Sequence, residues 1–88
     1  MCTMMQHVVN EPVDALAIYR RGAPHPLLCT FRWKDQRYDV KETHLVHRKN
    51  TGEKIHRIYS VDCGQRTCVL RLDTDRAQWT LESMESLS

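Results

Sequence analysis

From Leu27 onward, apolar side chains recur at every second position of this chain. In the stretch "LLCTFRWKDQRYDV", Phe31, Trp33, Tyr38 and Val40 alternate with charged or polar residues. A period of two is the spacing of a β-strand that buries one of its faces. The alternation resumes after "KNTGEK", after "CGQRT" and after "DTDRAQ", which are rich in turn-forming residues. The pattern therefore predicts antiparallel strands joined by short turns.

Symmetric pairing about each turn brings large apolar side chains together across the strands. The predicted neighbours are Trp33 with Tyr38, Phe31 with Val40, Val61 with Leu70, Tyr59 with Leu72, Leu72 with Trp79 and Leu70 with Leu81. Because a slip of one residue would turn each set toward solvent, agreement across successive hairpins supports these registers. The same registers place Arg32 opposite Asp39 on a solvated face of weak ion pairs.

The segment "VDALAIYRRG" is compatible with a helix or with a further strand. We predict an all-β fold, a six-stranded antiparallel meander forming a small barrel or strongly curved sheet, with residues 13–20 as its first strand. The alternative is a five-stranded sheet covered by an N-terminal helix at about 11–21. A chain of 88 residues holds one core. We expect a flexible leader over 1–11, one β domain over 12–84 and a flexible tail over 85–88.

The start "MCTMMQHVVNEP" lacks the basic residues and the long apolar run of a secretory signal. No stretch is apolar enough to cross a membrane. We therefore expect a cytoplasmic protein whose four cysteines are free thiols. The formal net charge of +2 does not by itself indicate a nucleic-acid or membrane partner.

The order of these motifs resembles a family of short bacterial proteins of unknown function. Its pattern runs as proline, strand, a Gly-containing turn, Pro, F-x-W-x-G-x-x-Y-x-V, then two hairpins ending in W-x-L. The resemblance spans about residues 12–82, and the matching positions are Phe31, Trp33, Tyr38, Val40, Tyr59, Leu70, Leu72, Trp79 and Leu81. Asp35 replaces the turn glycine. The resemblance implies a strand over residues 13–20 and offers no activity to transfer.

One candidate chemical site combines Cys63, Cys68 and His44. The predicted hairpin sets the two cysteines opposite each other with His44 on the same face, which gives a metal at most three ligands. Opposed thiols could also form a disulfide, with the nearby Arg66 lowering a thiol pKa. The same residues with Asp62 contain the types needed for acyl transfer, but no oxyanion loop is evident. The alternative role of the cysteines is simple packing in the core.

Two surfaces are candidates for binding a macromolecule. Basic residues near the turns could bind single-stranded nucleic acid, and these are Arg48, Lys49, Lys54 and Arg57. Apolar residues on the nominally outward face could form an interaction face, and these are Leu28, Leu45, Ile58 and Val69.

These observations favour a small non-enzymatic binding or protein-interaction module. We expect no catalytic residues and no cofactor, and we expect a protein partner or self-association, such as a homodimer. The alternatives are a metal-binding or redox-responsive protein using Cys63, Cys68 and His44, and single-stranded nucleic-acid binding through the basic loops.

Overall fold

The structure, a computed structural model, describes residues 4–64 and 66–87, with side chains described over 8–50, 52–64 and 66–85. Its strands are β1 (Met4–Ile18), β2 (Leu27–Trp33), β3 (Gln36–Asp39), β4 (Glu42–Thr51), β5 (Lys54–Asp62), β6 (Arg66–Asp73) and β7 (Gln78–Leu87). The predicted all-β fold is confirmed, and residues 13–18 belong to a strand rather than a helix. Among the described residues, no helix is long and apolar enough to cross a bilayer.

The strands form one antiparallel sheet in the order β3-β2-β1-β7-β6-β5-β4. Strand β1 has a different partner along each part of its length. Residues 4–13 pair with β7, and residues 14–18 pair with β2. The sheet curls into a half-barrel whose inner, concave face holds the core. No ladder joins β3 to β4, so the half-barrel stays open between them. We call this gap the seam.

The described residues form seven strands where the sequence predicts six, because the predicted strand through Tyr38 and Val46 is interrupted at the seam. The N–H of Val40 donates to the carbonyl of Cys29 on the β2 side at 2.9 Å. The next N–H, that of Lys41, donates to the carbonyl of Asp62 on β5 at 2.7 Å. The chain thus changes its pairing partner within one peptide unit, which ends β3 and begins β4.

The outer parts of β1 and β7 occupy segments that the sequence indicates as flexible ends. Met4 pairs with Leu87, and pairing continues to Val8 with Ser83. Residues 4–11 are therefore the first half of β1 rather than a leader, and residues 85–87 extend β7 rather than forming a tail. Backbone pairing between the two segments supplies the hydrogen bonds that neither segment could satisfy alone. Residues 1–3 and 88 lie outside the described residues.

The core consists of aromatic and aliphatic side chains on the inner face. Phe31 stacks on Tyr38 with ring centroids 5.1 Å apart, and Tyr59 packs edge-on against Trp79 at 4.9 Å. The hydroxyl of the fully buried Tyr59 donates to the carbonyl of Pro26 at 2.6 Å. Burial, which disfavours the phenolate, raises the pKa of Tyr59 to about 12. This hydrogen bond ties the loop after β1 to the sheet.

The β6–β7 register is as predicted, with Leu72 opposite Trp79 and Leu70 opposite Leu81. The earlier hairpins differ from their predicted registers. Phe31 faces Tyr38 and Trp33 faces Gln36. The turn is formed by Lys34 and Asp35, whose φ values of 51° and 60° match a two-residue type I′ turn.

The β4–β5 and β5–β6 hairpins, like the β2–β3 hairpin, are offset from their predicted registers. Val61 faces Cys68, Tyr59 faces Leu70, and His47 faces Ile58 rather than His56. Each offset moves a partner by two positions. Because the strand period is two, side chains outside the β-bulges keep their predicted faces. The predicted charge pairs are lost, however, and Arg32 faces Arg37 instead of Asp39.

A β-bulge in β2 reverses the predicted roles of Leu27 and Leu28. Leu16 pairs with Thr30 while Ala17 pairs with Leu28, which leaves Cys29 as the extra residue on β2. The bulge turns Leu28 into the core, where it is 1% exposed, and leaves Leu27 at the surface. Leu28 is therefore not part of an outward interaction face.

Candidate ligand-binding groove

An open groove of about 510 Å³ lies on the inner side of the half-barrel, next to the β2–β3 turn. Its lining residues are Val8, Val9, Glu11, Trp33, Lys34, Arg66 and Met84. The groove exists because Trp33 pairs with Gln36 on the short edge strand β3, beyond which no further strand covers it. Trp33 is half-buried, whereas Trp79 on the same face is 5% exposed.

The indole of Trp33 is held in place by polar contacts. Its Nε1–H donates to Oε2 of Glu11 at 2.7 Å. Glu11 lies on the inner face because it pairs with Leu81, just after a register shift that includes Asn10 with a φ of 51°. The ammonium group of Lys34 lies 4.8 Å from the indole centroid. These contacts fix the ring orientation and leave part of the indole accessible to a ligand.

Arg66, the first residue of β6, forms the opposite wall of the groove. Its guanidinium donates to the Tyr38 hydroxyl at 3.2 Å and to Met84 Sδ at 3.6 Å. The guanidinium carbon lies 5.8 Å from the Tyr38 ring centroid. Arg66 also lines a second depression of about 340 Å³ at the seam, together with Gln36, Arg37, Tyr38, Asp39, Lys41 and Cys63. The guanidinium therefore borders both spaces.

The charges around these two spaces are unevenly compensated. The carboxylate of Glu11 accepts from Trp33, and that of Asp39 forms an ion pair with Arg37 at 2.9 Å. The ion pairs found among the described residues are Arg37 with Asp39, His44 with Asp62, and Arg71 with Glu82. Lys34, Lys41 and Arg66 take part in none of them. The groove and the seam thus present three cations outside these ion pairs, and Glu11 is a carboxylate that lines the groove with two of them.

A larger depression of about 780 Å³ lies on the other side of Trp33, between the β2–β3 and β6–β7 turns. Its charged lining residues include Asp14, Arg32, Asp35 and Arg76. The two signs are interspersed there, so no single ligand charge is favoured. The smaller groove has the more selective chemistry.

The structure separates His44 from the two cysteines with which the sequence grouped it. The pairing of β4 with β5 shifts between Thr43 and Leu45, so His44 is a bulge residue rather than an inward one. Its ring lies 4.0 Å from a carboxylate oxygen of Asp62. Glu42, His44 and Asp62 offer ligand atoms within 4.8 Å of one another. The structure does not group His44 with Cys63 and Cys68, because the bulge turns the imidazole toward these two carboxylates.

The thiols of Cys63 and Cys68 interact although the residues are not directly opposed. The Cys68 thiol donates a hydrogen bond to the Cys63 sulfur, which lowers the pKa of Cys63. The same hydrogen bond and burial raise the pKa of Cys68. Cys63 is half-buried and Cys68 is fully buried. Cys29, Cys63 and Cys68 are free cysteines.

The proposed nucleic-acid residues all lie on the β4–β5 hairpin but on both of its faces. Arg48 pairs with Arg57 on the side of the core, while Lys49 pairs with His56 on the outer side. Lys54 pairs with Thr51 next to the turn. Because the cations are divided between two faces, they do not form one basic surface. No Phe, Trp or Tyr occurs in the sequence between His47 and Ile58.

The predicted interaction face is not a continuous apolar surface. Leu28 is 1% and Ile58 is 7% exposed, since Leu28 is in the core and Ile58 is covered on the outer face, where it pairs with His47 and Arg71. Val69 is half-buried, and Leu45 is exposed. Other large apolar side chains are exposed instead, namely Val8, Leu16, Ile18, Tyr19 and Leu27.

Glu11, Lys34 and Arg66 were not identified as groove residues from the sequence. Glu11 falls in the segment interpreted as a leader, and Lys34 and Arg66 flank turns, where charged residues are common. The signal available in the sequence was the inward position of Trp33 at the end of a strand. That Trp33 lies beside a short edge strand is known only from the order of the strands in the sheet.

No protein-family model, curated protein or solved structure matches this chain. The resemblance to short bacterial proteins of unknown function therefore stays a prediction. The groove must be interpreted from its own chemistry.

Proposed function

We propose that this protein is a non-enzymatic binding module that binds an extended, acidic segment of a partner protein along the groove and the seam. One observation carries the proposal. Lys34 and Arg66 border the groove beside Trp33, Lys41 and Arg66 border the seam, and none of the three cations forms an ion pair with a described residue. An acidic ligand would supply the negative charges with which these cations can pair.

The backbone supports an extended ligand. β3 pairs with β2 on one side and has no strand partner on the other. A peptide can add to such an edge through main-chain hydrogen bonds while alternate side chains enter neighbouring pockets. The two depressions that Arg66 borders provide such pockets on either side of its guanidinium.

The side chains of the groove favour a peptide over a nucleic acid. Binding to a single strand relies on aromatic rings exposed for base stacking. Phe31 and Tyr38 stack on each other in the core, and one side of Trp33 is occupied by Lys34. Met84 and Val9 add an apolar floor suited to aliphatic side chains.

Titration with a short peptide of alternating Glu and Val tests this proposal. Trp33 fluorescence and calorimetry should both report saturable binding that weakens as salt concentration rises. The matched peptide with Gln in place of Glu should bind at least about tenfold more weakly. Equal affinity for the two peptides would contradict an acidic specificity.

Variants locate the binding site. Lys34→Glu and Arg66→Glu should each weaken binding of the acidic peptide by about tenfold or more, because each replaces an attractive charge with a repulsive one. Lys49→Glu makes the same charge change on the outer face, where Lys49 pairs with His56, and should leave the affinity nearly unchanged. An equal loss in all three variants would indicate a general charge effect instead of this groove.

A further inference from the structure

We infer that Cys63 and Cys68 form a dithiol site that a low-molecular-weight disulfide of the glutathione type oxidises reversibly to an intramolecular disulfide. The site lies at the β5–β6 turn, at the end of the seam. It is independent of whether the groove binds a peptide.

The hairpin register brings the two cysteines to one face. Val61 pairs with Cys68, and the N–H of Cys63 donates to the carbonyl of Arg66 at 2.8 Å. Since Cys63 lies opposite Arg66, and Arg66 shares a face with Cys68, both thiols point to the same side of adjacent strands. They are therefore diagonal neighbours across the β5–β6 pair.

The different environments assign a role to each thiol. Cys63 is half-buried and borders the depression at the seam, so a small disulfide can reach it. The hydrogen bond from Cys68 stabilises the Cys63 thiolate and lowers its pKa, as an attacking thiol requires. Cys68 is 0% exposed and cannot meet an external disulfide directly. It is placed to attack only the Cys63 sulfur, once that sulfur is part of a mixed disulfide.

The reaction balances with oxidised glutathione as the oxidant. The Cys63 thiolate, having lost its proton to water, attacks one glutathione sulfur, which breaks the glutathione disulfide and releases one glutathione thiolate. Cys68 then loses its proton and attacks the Cys63 sulfur, which forms the Cys63–Cys68 bond and expels the second glutathione. Two cysteine thiols are oxidised, and one glutathione disulfide is reduced to two thiols.

Closing the Cys63–Cys68 bond affects Arg66, because Arg66 lies between the two cysteines in the turn. The Arg66 carbonyl accepts from Cys63, while its guanidinium contacts Tyr38 and Met84. Drawing Cys63 toward Cys68 displaces the backbone that holds this side chain. Oxidation should therefore change the environment of Arg66 and Tyr38 while leaving the Trp79 region unchanged.

Equilibration of the whole chain in buffers of defined reduced-to-oxidised glutathione ratio tests the inference. Peptide mass spectrometry after thiol blocking should find a Cys63–Cys68 disulfide whose fraction rises and falls with the ratio, and Cys29→Ser should behave identically. Cys68→Ser and Cys68→Ala should accumulate glutathione on Cys63, since the second attack is lost. Absence of the disulfide, its pairing to Cys29 or Cys2, or stable glutathione on Cys63 in the unaltered chain would overturn the inference.

Nuclear magnetic resonance spectra of the reduced and oxidised chain test the effect on the groove. Amide signals of Arg66 and Tyr38 should shift on oxidation, and the Trp79 indole signal should remain in place. Unchanged Arg66 and Tyr38 signals in the oxidised chain would show that the disulfide forms without affecting the groove, and the link to Arg66 would be abandoned.

Discussion

Trp33 and Trp79 are inward residues of the same alternating strand pattern, but their surroundings differ. Trp79 lies on the inner face of β7, between β1 and β6, and packs against Tyr59 at 4.9 Å. Trp33 lies on the inner face of β2 beside the short edge strand β3, where Glu11 and Lys34 are its polar neighbours. Both side chains point inward, but Trp79 is buried whereas Trp33 is only half-buried.

The difference shows that two inward aromatic side chains of one sheet can differ in exposure according to the residues that lie beside them. A central strand surrounds its inward residues with apolar neighbours from both sides. Trp33, at the end of β2, lacks such neighbours on the side of the groove. Charged residues from adjacent turns then reach that side, as Lys34 and Arg66 do here.

The largest expected effect is on stability, and it separates the two regions directly. Trp79→Ala should lower the free energy of unfolding by about 3 to 5 kcal/mol, because it leaves a cavity in the core. Trp33→Ala should cost clearly less, since its ring is partly exposed and open space already lies beside it. Urea denaturation followed by circular dichroism measures both. Equal losses would mean that the Trp33 region is part of the core.

The Tyr59 hydroxyl should make the stability of the folded chain depend on pH. Its pKa is about 12 in the folded chain and near 10 in the unfolded chain. The folded state therefore holds the phenolic proton more tightly, and the resulting stability is present below pH 10 and is lost as pH rises toward 12. The loss should be on the order of 2 kcal/mol.

Tyr59→Phe is the matched control for this prediction. It removes the hydrogen bond to Pro26 and should cost about 0.5 to 1.5 kcal/mol at neutral pH. In alkaline solution its stability should fall less steeply than that of the unaltered chain. Parallel pH curves for the two proteins would show that other groups cause the alkaline loss.

A smaller effect is expected from Glu11 in the open region. Glu11→Gln keeps an oxygen that accepts from the Trp33 indole but removes the one carboxylate among the described residues that line the groove. Affinity for the acidic peptide should rise by about three- to fivefold, because the repulsion falls. Stability should change by less than about 0.5 kcal/mol. Weaker peptide binding by this variant would show that the Glu11 charge contributes to ligand recognition.

The smallest effect concerns the turn next to the groove. Asp35 has a φ of 60°, a conformation that glycine adopts without strain. Asp35→Gly should stabilise the protein by about 0.4 to 1 kcal/mol, as type I′ turns prefer glycine at this position. Asp35→Ala should be destabilising instead, because alanine lacks the short polar side chain that helps aspartate tolerate a positive φ. Thermal unfolding of both variants checks the two directions.

Much of the fold follows from alternation alone, because a period of two determines which face each side chain occupies. Phe31, Tyr59, Leu70 and Leu81 were assigned inward on this basis, and all are buried. Turn positions are determined less well. The turn formed by Lys34 and Asp35 contains no glycine that would mark it in the sequence. A hairpin register shifted by two residues keeps each side chain on the same face of the sheet, so alternation does not distinguish the two registers.

Bulges and long-range pairing explain the remaining differences. The extra residues Cys29 and His44 reverse the local alternation, which exchanged Leu27 with Leu28 and moved His44 away from the cysteines. The first half of β1 has little period of its own, and its strand conformation depends on pairing with β7. Glu11 belongs to that half, so the groove was not predictable from local sequence.

The pairing of β1 with β7 has a consequence for chain connectivity. Met4 and Leu87 are register partners, while Val40 and Lys41 form the covalent link across the seam. A circular permutation that links residues 4 and 87 and cleaves between Val40 and Lys41 would make strand order in sequence identical to strand order in the sheet. Every ladder would then be a local hairpin, and the lower contact order should make the rearranged chain fold faster than the natural one.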